Sequence, residues 1–142
     1  MAETTYNAGK GRLIAGAVTA GGTNLKAVLI TGTKAGAADP DLSTLAAIDA
    51  VTGVGLHSER VSLTGVTVSV DTTNDRVNLD AANLAFAAAA GVTALALVIY
   101  DASTDTSDAT RVPLTYHDSG FGSGVPLDGG LTVTISDFLR AS

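Results

Sequence analysis

The sequence predicts a mainly β protein: an antiparallel β-sandwich of six to seven strands with one or two short helices. Two stretches, Val66 to Val70 and Val77 to Ala81, alternate apolar and polar residues with period two. That period sets one row of side chains on a core and the other in water. Sixteen glycines and many Thr and Ser cut the chain into short runs, as turn-rich β folds require. No βαβ rhythm recurs, so hairpins and packed sheets are expected in place of a parallel sheet.

In chain order, residues 1–5 are polar and read as a short flexible arm on a single domain spanning residues 1–142. Leu13, Ile14, Ala17 and Val18 make one helical stripe. Leu25 to Thr31 is apolar on both faces, which predicts a central strand. Asp39-Pro40 reads as an N-cap followed by proline at the first helical position. Leu42, Leu45, Ile48 and Val51 then continue a short helix. Val61 and Leu63 are odd-numbered and Val66, Val68 and Val70 even, so the apolar phase flips at Thr64-Gly65. A bulge or tight turn at glycine repairs such a flip.

The DTTND turn, Asp71 to Asp75, joins the two alternating runs into a hairpin. Its apolar face, with Val68 at the centre, is expected to be buried. Leu84 and Phe86 predict a short strand before an alanine-rich connection, and Val92 to Tyr100 predicts one buried strand. Val112, Leu114 and Tyr116 alternate with polar residues, with Pro113 placing that strand at an edge or a bulge. His117 to Gly130 holds five glycines and reads as a long loop. Leu131, Val133 and Ile135 form the last strand.

Composition narrows the function. The 142 residues carry a net charge of −6, and the eight basic residues are scattered. That argues against a nucleic-acid partner, which needs clustered Lys and Arg. The longest apolar run is too short to span a bilayer, so no membrane association is expected. Cysteine is absent, so a disulfide framework is excluded. The first residues lack the pattern of a signal peptide, and the chain is expected to be made in a cytoplasm.

No constellation of residues spells out catalysis. His57 and His117 are the only histidines and lie 60 residues apart, which suits structural roles better than a metal or base pair. Asp101, Asp105 and Asp108 resemble a calcium loop only loosely, because the EF-hand glycine and glutamate are missing. Gly120 to Pro126 lacks the register of a nucleophile or phosphate loop. The expectation is a non-enzyme with no catalytic, metal or cofactor-binding residues.

Tyr6, Asn7, Lys10, Leu13 and Gly16, together with the runs LKAVLIT, LTGVTVSVDTTNDRVNLDAANLAF, ALVIYDAS and VPLTYHD, resemble a family of small phage virion structural proteins encoded among head and tail genes. An opening segment of the form YN-x-x-K-x-x-L-x-x-G is met by Tyr6, Asn7, Lys10, Leu13 and Gly16. LKAVLIT, from Leu25, is similar to the family's IKVALLT. LTGVTVSVDTTNDRVNLDAANLAF, from Leu63 to Phe86, is similar to LTGKTVTVD, a turn, then D-x-x-x-FDADDVTW. ALVIYDAS and VPLTYHD complete the match. Leu79 stands where the family has Phe, Phe86 where it often has Trp, and GTKAGAADPDLSTL replaces an aromatic loop. The resemblance implies a capsid decoration protein on the outside of a phage head. Its expected partners are the major capsid protein lattice and copies of itself, as a homo-oligomer, and its expected location is the virion. The alternatives are a head–tail joining or tail component, or a glycan-binding sandwich on the virion surface.

Overall fold

The two most apolar runs of the chain pair with each other and make the middle of its largest sheet. The computed structural model describes residues 3–14, 24–103, 107–136 and 138–141. Along the chain run β1 (Glu3–Thr5), α1 (Asn7–Ile14), β2 (Leu25–Gly32), α2 (Leu45–Asp49), β3 (Val54–Leu56) and β4 (Val61–Ser62). Next come β5 (Thr67–Asp71), β6 (Arg76–Asp80), β7 (Leu84–Phe86), β8 (Thr93–Ala94) and β9 (Ala96–Asp101). The last are β10 (Val112–His117), β11 (Val125–Pro126), β12 (Leu131–Val133) and β13 (Leu139–Ala141). The fold is mainly β, with two helices among the described residues, and the strand pairs are antiparallel.

The large sheet has the order β1-β10-β9-β2-β3, with β4 also on β2. Both of its faces are covered. Ala27, Leu29, Leu97 and Ile99 point to one face, where they meet Leu63, Val66, Leu79, Leu84, Phe86, Phe138 and Leu139. These partners come from three small sheets, β13-β6-β5, β12-β7 and β11-β8, and the segments beside them. Val28, Ile30, Val98 and Tyr100 point to the other face, against Tyr6, Ala37, Leu45, Ile48 and Val54. The Tyr6 hydroxyl donates to the Ala37 carbonyl at 2.6 Å, and burial raises its pKa well above the ordinary tyrosine value.

The predicted class holds, but the detail departs from it. The described residues contain more strands than expected, because long runs are cut by bends. Val92 to Tyr100 is not one strand. It breaks at Leu95, between β8 on β11 and β9 in the large sheet. The helix near Pro40 starts later than expected, with Thr44 as its N-cap accepting from the Ala47 amide at 3.1 Å. Asp39 instead accepts from the amide of Asp41 within a turn. The segment His117 to Gly130 is not all loop, since it contains β11. A final strand, β13, pairs with β6 and was not expected. The helical stripe is represented by Leu13, which packs on the core; Ala17 and Val18 lie outside the described residues.

Three further expectations are overturned. Residues 3–5 do not form a free arm, because β1 pairs with β10 from Glu3↔His117 to Thr5↔Thr115. β10 does not alternate: Pro113, Leu114, Thr115 and Tyr116 are all buried. The ladder with β9 slips between Pro113 and Thr115, so Leu114 and Tyr116 go to opposite faces. That is the bulge that proline permits. The third concerns the hairpin. Val66 is buried as expected, but Val68 is 49% and Val70 72% exposed. Gly65 does flip the phase, with φ of +61°, so that Leu63 and Val66 both reach the core.

α1 crosses β10 at a glycine. A Cβ on Gly9 would lie 2.7 Å from the Leu114 Cα and 2.8 Å from the Pro113 carbonyl oxygen. Glycine to alanine inside an ordinary helix stabilises by about 1 kcal/mol. Here Gly9→Ala is expected to reverse that sign and destabilise by roughly 1–3 kcal/mol, since backbone must move to admit the methyl group. Urea unfolding of the two proteins measures it.

Candidate functional site

The residues that the sequence offers for chemistry are held apart and engaged in structure. His57 follows β3, and its Nδ1 accepts from the Glu59 amide at 3.3 Å. His117 ends β10 at the far side of the sheet. Its Nε2 lies 2.9 Å from the Thr115 hydroxyl and its Nδ1 3.6 Å from the Glu3 carboxylate. Burial lowers the His117 pKa, and the Glu3 charge opposes this only in part. A cavity of about 180 Å³ adjoins it, lined by Leu97, Phe121, Ile135 and Phe138 among others. That is smaller than the roughly 300 Å³ at which ligand pockets begin.

The two described acids of the supposed calcium loop each face arginine. Asp101 is buried, accepts from the Ser103 amide at 2.8 Å and lies 3.9 Å from the Arg12 guanidinium. Asp108 accepts from Arg60 at 2.9 Å and from Arg111 at 2.7 Å. Burial pulls the Asp108 pKa up, but the two guanidinium groups outweigh it and hold the carboxyl below its ordinary value. Arg60 also donates to the His57 carbonyl, and Arg111 lies over the Tyr100 ring at 5.7 Å. The carbonyls of Asp108 and Arg111 accept from the first amides of α2. This cluster therefore clamps the 107–111 loop onto α2 and the segment after β3. Asp105 lies outside the described residues. Among the described residues no group of three or more His, Asp or Glu could hold a metal.

The glycine-rich loop is pinned and offers no cradle. Phe121 is buried under it, and a Cβ on Gly124 would run into the Thr93 side chain. Among the described residues no helix follows it to supply amides to a phosphate.

The feature left without a structural role is the outer strand of the β5–β6 hairpin. Among the described residues β5 pairs with β6 alone. Thr67, Val68, Ser69 and Val70 are all exposed, so both faces of this strand meet solvent. Val68 and Val70 are the exposed large apolar residues of the described chain. The inner strand β6 is different: Leu79 is 7% exposed and is paired on its other side with Leu139 of β13. The core ends at β6. The turn is tied together by Asp71, which accepts from the Thr73 and Asn74 amides, the Asn74 side chain and Arg76 Nε. The Asn74 side chain, with help from Arg76, lowers the Asp71 pKa.

β5 is the longest edge strand among the described residues. Edges are usually blunted by Lys, Pro, bulges or shortness. β1, β3 and β4 are short, whereas Thr67–Val70 contains none of those devices. Sequence reading missed this surface because alternation shows a two-faced strand but not whether a core lies opposite. The available signal was the polar DTTND tip, which puts the nearest residues of the hairpin, Val70 first, toward water. In comparisons with known proteins, no family model, no curated protein and no solved structure matches the chain.

The partly buried His117 gives a pH dependence. Above about pH 6.5, the ordinary histidine value, the ring is neutral folded and unfolded. As pH falls through that value the unfolded chain takes up a proton that the native state resists. Stability is therefore lost as pH drops below 6.5, roughly, and stops falling once the native ring titrates. His117→Gln is expected to flatten this part of the profile, measured by urea unfolding across a pH series.

Proposed function

We propose that the chain is a structural protein of a phage virion, a capsid decoration protein that binds the outside of the head shell and stabilises it. The observation that carries this reading is the bare edge of β5 with Val68 and Val70 exposed on it. An unprotected apolar edge on an otherwise covered core is a surface for another chain. The virion resemblance of the Leu63 to Phe86 segment falls on this same hairpin. The polar clusters His57, Asp101 and Asp108 are taken up by the clamp and by turns. A decoration protein acts by burying surface and bridging neighbouring capsomers, without turnover. A net charge of −6 suits a protein displayed at high density.

Purified protein mixed with shells lacking it is expected to cosediment, saturating at a fixed ratio to the major shell protein. Val70→Lys is expected to weaken that occupancy while leaving the melting temperature nearly unchanged, since a substitution at so exposed a site alters stability by about 0.5 kcal/mol or less. Binding restricted to tails, or to a single vertex, overturns the decoration reading in favour of a joining protein.

A further inference from the structure

We infer that the free edge of β5 pairs with β5 of a second copy, antiparallel about a two-fold axis at Ser69. The inference deepens the decoration reading and rests on it for the crowding that makes so short a contact persist. The strand reads Thr67-Val68-Ser69-Val70-Asp71. Turned about Ser69 it sets Val68 against Val70 of the other copy, twice, on one face. An isologous contact requires this self-complementarity. The register also suits the backbone. Alternate residues of an edge strand turn their N–H and C=O groups outward. A two-fold axis through a residue always sets outward-facing positions opposite outward-facing ones.

Charge and backbone select Ser69 over its neighbours. In this register Asp71 falls opposite Thr67, and Asp71 already has Arg76 at 3.0 Å. A register slid toward the turn brings the two Asp71 carboxylates together, a like-charge pairing that destabilises a sheet. One slid the other way runs into Gly65, whose φ of +61° ends the extended backbone. The area sets the strength. Five residues span roughly 17 Å, too little to bury the about 1,000 Å² that a stable specific interface needs. The pair is therefore weak in dilute solution and forms where copies are held side by side, as on a shell lattice.

The absence of cysteine from the chain makes the test clean. Directly opposed residues of an antiparallel pair lie about 4.5–5.5 Å apart at Cα, inside the roughly 4.4–6.8 Å that a disulfide spans. Ser69→Cys, exposed and so free of the core, is expected to cross-link into dimers under mild oxidation of the concentrated, isolated protein. Val68→Cys and a control at another exposed site, Ser123→Cys, are expected to cross-link about tenfold more slowly, because their thiols are not brought within that span. Equal rates at the three positions overturn the inference. A second measurement needs no cysteine. The sedimentation coefficient of the parent is expected to rise with concentration, and that of Val70→Lys to stay at the monomer value. A parent that remains monomeric at the highest soluble concentration also overturns it. Shells distinguish the two readings. Saturable shell binding without Ser69→Cys cross-linking leaves decoration standing and refutes self-pairing. Cross-linking without shell binding does the reverse.

Discussion

The pairing of β2 with β9 is the contact on which the rest of the structure depends. It sets Leu29 opposite Leu97, Ala27 opposite Ile99 and Val28 opposite Val98. Each side chain of this pair goes to one face or the other, and both sets are buried. A large apolar side chain stabilises by about 1.5–3 kcal/mol when fully withdrawn from water, so a sheet apolar on both faces demands two covers. The small sheets supply one cover. Tyr6, α2 and the segment before it supply the other. The fragmentation of the small sheets follows from this division. They are draped over a sheet that already has its own hydrogen bonds, and each needs only enough strand to deliver two or three apolar side chains.

What the sequence shows of this plan is the part that lies in local periodicity. The central strand from Leu25, the turn at Asp71, the phase flip at Gly65 and the short strand ending at Phe86 were all legible, because each is written in neighbouring residues. The misreadings share one cause. Alternation says that a strand has two kinds of face, but the tertiary partner decides which is wet. At β10 the pattern Val112, Leu114, Tyr116 looks like a single apolar row. The bulge beside Pro113 splits that row, and Leu114 and Tyr116 serve opposite cores. At β5 the row Val66, Val68, Val70 looks equally continuous, yet the core stops after its first member. β1 was invisible for a related reason. Three polar residues carry no pattern, and only the open edge of β10 gives them a place.

The candidate chemistry was legible mainly as an absence of motifs, and geometry shows where its residues went. Asp108 illustrates this. In sequence it is the third acid of a polar loop. In the fold it sits between Arg60 and Arg111, which arrive from different segments. Half-exposed ion pairs of this kind contribute little each. Their value here is positional: they hold the loop that gives its carbonyls to the first turn of α2. A five-residue helix is too short to be stable alone, so α2 depends on that loop and on Leu45 and Ile48 in the core.

The bare edge of β5 follows from the same economy of packing. β6 is fixed on its inner side by β13 and by Leu79 in the core. β5 is fixed only through β6 and its turn. An outer strand that extends past the core gains nothing from a second layer, so β5 is left with one partner among the described residues and two wet faces. In a protein selected to remain alone such a strand is an aggregation hazard. Here no lysine or proline interrupts it. The only charge is Asp71 at its end, and that carboxylate is held by Asn74 and Arg76. The overall negative charge keeps dilute copies apart by long-range repulsion, while the edge itself stays free of the charge that would block close pairing. These two terms act at different distances. Under the proposed assembly role, this balance would hold dispersed copies apart and leave the edge open where a surface gathers them.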